Sequence, residues 1–139
     1  MKFVKITGGI VAIAIIAFFA WNSFAGPLKI RRDMHTFAAS LEGCEAFTRA
    51  IKAPLGGPPL QHVIDGLHNG RCRVQMDTLG PHELRCEFAV ADLPAIAQGF
   101  ADNADSLGIF GGMDVRISTS NPDPLTRALN SEACETVRK

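Results

Sequence analysis

Polar and apolar residues alternate almost without a break through residues 70–90, on both sides of a Leu79-Gly80-Pro81 turn. Cys72, Val74 and Met76 share one side of the first arm, and Leu84, Cys86, Phe88 and Val90 share that side on the second. The positions between them are polar: Arg71, Arg73, Gln75 and Asp77, then Glu83, Arg85 and Glu87. A period of two with one apolar face predicts a half-buried antiparallel hairpin. Residues 61–67 predict a strand before it, joined through His68-Asn69-Gly70. A two-residue Asn69-Gly70 turn would set Val63, Asp65 and Leu67 on the face of Cys72. A three-residue turn with Gly70 in a bulge would set His62, Ile64 and Gly66 there, and is preferred because it spares Asp65 from burial. In the main hairpin, a loop of three residues or a looser one of five sets Cys72 opposite Cys86, with Arg73 facing Arg85. A shift by two would pair Arg73 with Glu87 and move the cysteines out of line. The cysteine-aligned register is preferred.

The flanking segments change period. Over residues 27–52, Phe37, Leu41, Cys44, Phe47 or Thr48, and Ile51 fall on one helical stripe, with Asp33 as an N-cap. Residues 53–60 hold three prolines and two glycines, which stop that helix. Asp92 is expected to cap a helix with Pro94 in its first turn and a buried stripe of Leu93, Ile96, Ala97, Phe100 and Ala104. Leu107 to Gly112 form a glycine-bounded apolar loop, and Met113, Val115 and Ile117 alternate as a strand. Asp123-Pro124 then starts a closing helix carrying Leu125, Leu129, Ala133 and Val137. The expected fold is α+β, in the order α-β-β-β-α-β-α. A single antiparallel sheet of about four strands carries helices on one face and water on the other.

Before this domain of residues 27–139 stands an uncharged apolar run, residues 6–25, behind Lys2 and Lys5. Its 20 residues suffice for a membrane-spanning helix, with Trp21 at an interface. Ser23-Phe24-Ala25 also offers small residues where a signal peptidase reads. Residues 1–26 therefore read as a signal peptide or an uncleaved anchor. Lys29, Arg31 and Arg32 follow closely, so the charge difference across the run specifies orientation only weakly. Either way the domain is expected outside the cytoplasm, on the periplasmic side of the inner membrane or released.

Four cysteines, Cys44, Cys72, Cys86 and Cys134, fit that compartment. No C-x-x-C pair occurs, and an even count in a small exported domain reads as two disulfides. Sharing one face of the hairpin, Cys72 and Cys86 are expected to pair, which leaves Cys44 to Cys134; the alternative has Cys44 reaching down to Cys72 or Cys86. Charges balance at 14 basic and 14 acidic, or 12 against 14 without Lys2 and Lys5. Such a balance is unlike the one-sided basic surface of a nucleic-acid binder.

His35, His62, His68 and His82 are scattered, without an H-E-x-x-H or G-x-S-x-G motif, so no metal, cofactor or catalytic residue is expected. Two surfaces could meet a partner. One is the polar sheet face, where Arg73, Arg85 and Arg116 stand among Glu83, Glu87, Asp77 and Asp114; the other is an apolar tip at Ile109 and Phe110.

The run Val63-Ile64-Asp65-Gly66-Leu67-His68-Asn69-Gly70-Arg71-Cys72, with Cys86-Glu87-Phe88 after a Gly-Pro turn, resembles a pattern in small exported disulfide-containing proteins of Gram-negative bacteria. The likeness covers residues 44–105 and implies an exported protein, with no function and no catalytic residue to carry over. The expectation is a non-enzymatic binding or accessory module of the cell envelope with a protein partner, held to the membrane by residues 6–25 if these are uncleaved. The alternative is a secreted small enzyme or enzyme inhibitor.

Overall fold

A computed structural model of the chain describes residues 3–53, 56–107 and 122–139. Helix α1 spans Phe3–Glu42, running unbroken through Pro27. Strands β1 (Phe47–Ile51), β2 (Leu60–His68), β3 (Arg71–Asp77) and β4 (His82–Ala89) follow. A short 3-10 turn then leads into α2 (Leu93–Asp105), and α3 (Pro124–Leu129) and β5 (Cys134–Arg138) close the chain. All five strands form one antiparallel sheet in sequence order. The class is the α+β sheet expected, with five strands where about four were foreseen. The expected strand at Met113, Val115 and Ile117 lies outside the described residues.

One layer of the core is the inner sheet face: Ile51, Ile64, Cys72, Val74, Met76, Cys86 and Phe88. The other layer is helical, with Phe37, Ala38 and Leu41 from α1, Leu125 from α3 and the expected α2 stripe. Leu93, Ile96, Ala97, Phe100 and Ala104 of that stripe are all buried. Asp123 caps α3 as expected, accepting from the Thr126 amide at 2.9 Å. Asp92 precedes α2 but makes no side-chain cap; the 3-10 turn delivers the chain there already helical.

The first helix ends ten residues earlier than its stripe suggests, at Glu42 rather than Lys52. Cys44 takes a left-handed φ of 50°, and the amides of Cys44 and Glu45 reach back to the carbonyls of Leu41 and Ser40 at 3.0 and 2.8 Å. These are the two bonds of a Schellman stop, usually closed by glycine. The turn frees residues 47–51 to pair with β2, placing Phe47, Arg49 and Ile51 on the side of Ile64 and His62. Asp33 is accordingly no N-cap. It lies buried within α1 and accepts from Arg49 at 2.7 Å.

Both hairpin registers differ from the preferred ones. Asn69-Gly70 is a two-residue turn with His68 facing Arg71, and φ values of 53° and 76° suit a type I′ turn. Asp65 escapes burial through a bulge between Ile64 and Gly66, where Gly66 has φ 96°. The bulge switches His62 and Ile64 to the core face and leaves Asp65 outside, accepting from Gln75 at 2.8 Å. In the main hairpin Cys72 faces Phe88, Arg73 faces Glu87 and Val74 faces Cys86. The five-residue loop after Asp77 closes on Thr78, whose amide and hydroxyl both donate to the His82 carbonyl. An opposite-charge cross-strand pair thereby replaces the Arg73–Arg85 clash.

This shift forbids the expected Cys72–Cys86 bridge. Cys44 instead bonds to Cys72, and Cys86 to Cys134. The second bond forms because residues 134–138 are a strand on β4 with Cys134 directly opposite Cys86, not the end of a helix. The four cysteines are thus all oxidised, in two successive loops.

His62 supplies a pH-sensitive core position. It is buried edge-on to Phe37 at 5.2 Å between ring centres, and its Nδ1–H donates to the Leu60 carbonyl at 3.0 Å. Burial pushes its pKa below 6.5, against the raising effects of the Leu60 carbonyl and the Asp77 charge. A folded chain with a depressed histidine pKa binds fewer protons than the unfolded chain. The contribution of His62 is therefore complete above the unfolded value of about 6.5 and is lost as pH falls below it. Denaturant unfolding between about pH 7.5 and about pH 5 should show stability falling with acid, and His62→Gln should flatten that slope.

Candidate functional site

The outward sheet face carries a dense cluster of polar side chains. Strand alternation sends Arg71, Arg73, Gln75 and Asp77 out from β3, Glu83, Arg85 and Glu87 out from β4, and Glu135 out beside Arg85 from β5. Ion pairs organise it. Arg73 donates to Glu87 through Nε at 3.2 Å and Nη2 at 3.0 Å. Arg85 donates from Nε to Glu83 at 2.6 Å. Lys139 pairs with Asp77 across the sheet. Partial burial alone would push the Asp77 carboxyl up. The hydrogen bond and charge of Lys139 and the Gln61 amide outweigh it and hold Asp77 below the usual carboxylate range.

A groove of about 490 Å³ runs over this face, lined by Arg71, Arg73, Gln75, Arg85 and Glu87 with Glu132 and Glu135. Three arginines and three glutamates make it neutral in sum, so net charge alone would favour neither an anion nor a cation. Its local polarity is uneven. Arg71 spends one N–H on the Glu87 carbonyl at 3.1 Å and, like Glu132 and Glu135, makes no ion pair among the described residues. The groove therefore offers guanidinium donors beside free carboxylates, a surface that suits a peptide segment carrying both charges.

Arg73 and Arg85, two of the expected contact residues, meet in this groove. Arg116, Ile109 and Phe110, with Asp114, lie outside the described residues. Glu132 and Glu135 enter the site only because β5 is a strand. Cys134-Glu135-Thr136-Val137-Arg138 does not alternate between polar and apolar, so no local signal announces the strand. Among the described residues no group of three His, Cys, Asp or Glu side chains is placed to hold a metal ion.

A second cluster sits at the end of the domain next to the apolar part of α1. Asp105, the last residue of α2, accepts from Arg31 at 2.6 Å and lies 2.8 Å from His35 Nε2 on the same oxygen. The bonds to His35 and then Arg31 hold its carboxyl below the usual range, against a small raising effect of burial. The ion pair fixes the C-terminal end of α2 to α1 only six residues past Ala25.

Fold and surfaces together define a disulfide-stapled α+β domain built on the continuation of an apolar helix. Comparison with protein-family models, curated proteins and solved structures finds no match.

Proposed function

We propose that this chain is a non-enzymatic binding or accessory module of a bacterial cell envelope, anchored by α1 and presenting the polar sheet groove to a protein partner. The observation that carries the reading is the double use of α1. The helix is long and apolar enough to cross a membrane, and its residues 12–21 are exposed, with Ile13, Phe18 and Trp21 at 66–76%. Its second half buries Phe37 and Leu41 completely in the core. At 1.5 Å per residue the 40-residue helix is about 60 Å long, of which residues 6–25 match a hydrocarbon core of about 30 Å. An anchor that is also a wall of the domain sets the groove at a fixed height over the bilayer. Two disulfides support a periplasmic rather than a cytoplasmic setting, since thiols are kept reduced in the cytoplasm.

Intact mass of the native chain, extracted in detergent with its bound proteins, tests this. Retention of residues 1–25 together with a co-purifying protein that is lost on Arg73→Glu is the expected outcome. A chain starting at Gly26 and recovered without membranes would replace the anchored module by the secreted enzyme or inhibitor.

A further inference from the structure

One face of α1 passes from apolar to basic without leaving solvent. At 3.6 residues per turn, Leu28 and Arg32 fall within about 20° of Trp21 around the helix, while Ile30 and Phe37 fall roughly opposite, on the core side. Trp21 is 76% and Leu28 59% exposed, and Lys29 and Arg32 are exposed as well. Lys29 and Arg32 lie about 6 and about 10 Å past Ala25 along the axis, the depth of a headgroup layer beside a hydrocarbon core. Neither makes an ion pair among the described residues.

The neighbouring charges are already engaged. Arg31 and His35 are held by Asp105, and Asp33 is buried against Arg49. Among the described residues the acids near Lys29 and Arg32 are thus neutralised, and two cations are left, Arg32 on the stripe that continues Trp21 and Lys29 about 80° around the helix, on the line of exposed Phe18.

We infer that Lys29 and Arg32 bind the headgroups of anionic phospholipids, so that α1 gathers a shell of such lipids around the foot of the domain. The inference rests on the anchored reading of α1. Charge complementarity and continuity with the apolar surface fit this occupant: a lipid whose headgroup meets Arg32 lays its acyl chains along Trp21, and one that meets Lys29 lies beside it along Phe18. Attraction of this kind is worth about fivefold or less per charge at low ionic strength and fades as salt shortens the Debye length.

Trp21 is the only tryptophan and the chain has no tyrosine, so its fluorescence reports this lipid shell directly. The full chain is reconstituted into phosphatidylcholine bilayers containing a fixed fraction of chain-brominated lipid, either phosphatidylglycerol or phosphatidylcholine. Quenching should show a preference for phosphatidylglycerol of about twofold to fivefold that falls to about one at high salt and in the K29Q/R32Q variant. Equal quenching by the two lipids in the native chain overturns the inference and leaves the anchor standing. A preference that survives K29Q/R32Q also overturns it, since the selectivity would then come from elsewhere. No quenching by either lipid removes the anchor itself, and the inference with it.

Discussion

Replacing all four cysteines by alanine is expected to leave the domain unfolded at ordinary temperature. The Cys86–Cys134 bond spans 48 residues of sequence and the Cys44–Cys72 bond 28. Chain-entropy reasoning values the loops they close at about 4 and about 3.5 kcal/mol. The loops follow one another without overlapping, so their contributions combine towards about 7 kcal/mol, comparable with the whole stability of about 5–15 kcal/mol of a small domain. Cys72 and Cys86 are also fully buried, so truncation adds small cavities. Far-UV circular dichroism with urea titration should show each paired variant, C44A/C72A or C86A/C134A, folded with a lowered midpoint, and the quadruple variant without a cooperative transition. A quadruple variant that unfolds at the native midpoint would refute the role given to the staples.

The connectivity itself has a direct chemical test. Tryptic digestion without reduction should release the dipeptide Cys72-Arg73 joined to the peptide of residues 33–49. A peptide beginning at Cys86 should be joined to residues 128–138. Any fragment linking Cys72 to Cys86 contradicts the hairpin register, because Cys72 there faces Phe88. The two bonds divide the labour of holding the fold. Cys44–Cys72 ties the end of α1 to the centre of the sheet, and Cys86–Cys134 ties the edge strand β5 to its neighbour. Reduction should therefore loosen the two ends of the domain and leave the β2–β3–β4 meander as the most persistent part.

What could be read from the sequence depended on whether two periods could be told apart. In the main hairpin the apolar residues sit two apart over many positions, and the strands formed where expected. Along α2 the spacings mix three and four, at Leu93, Ile96, Ala97, Phe100 and Ala104, and only a helix puts those on one side. Elsewhere the apolar residues stood four apart, which satisfies a strand of period two as well as a helix of period 3.6. Phe47 and Ile51 are one such pair; Ala133 and Val137 are another. Helix is the expectation at both, yet residues 47–51 and 134–138 are strands, because β2 and β4 have edges to pair. Tertiary pairing decided them, and no local signal outweighed it.

The difference between expected and observed disulfides follows from these two segments. A helical reading of residues 47–51 and 134–138 gives Cys44 and Cys134 no place in or beside the sheet and so leaves them to each other. The polar groove was partly legible for the same reason. Arg73 and Arg85 belong to the unambiguous hairpin, whereas Glu132 and Glu135 come with the edge strand. The helix stop was hidden too, since a cysteine occupies the left-handed position where glycine would have announced it.

Phe37→Ala is expected to cost about 3–5 kcal/mol, the range for deleting a fully buried aromatic ring. Phe37 has no exposed surface, and its ring meets Phe47, His62 and Phe100 edge-on, with centres 5.5, 5.2 and 5.2 Å apart. Those neighbours come from β1, β2 and α2, so one side chain joins α1 to every layer it touches. Leu28→Ala, on the exposed side of the same helix, should change stability by no more than about 0.5 kcal/mol. Urea midpoints of the two variants in one detergent give the comparison. Limited trypsin digestion should agree: in Phe37→Ala the bonds after Lys29, Arg31 and Arg32 become the first to be cut, separating the apolar segment from a loosened domain. Equal midpoints for the two variants would mean that α1 leans on the sheet without being part of the core. A rigid connection between the membrane segment and the groove would then have no basis.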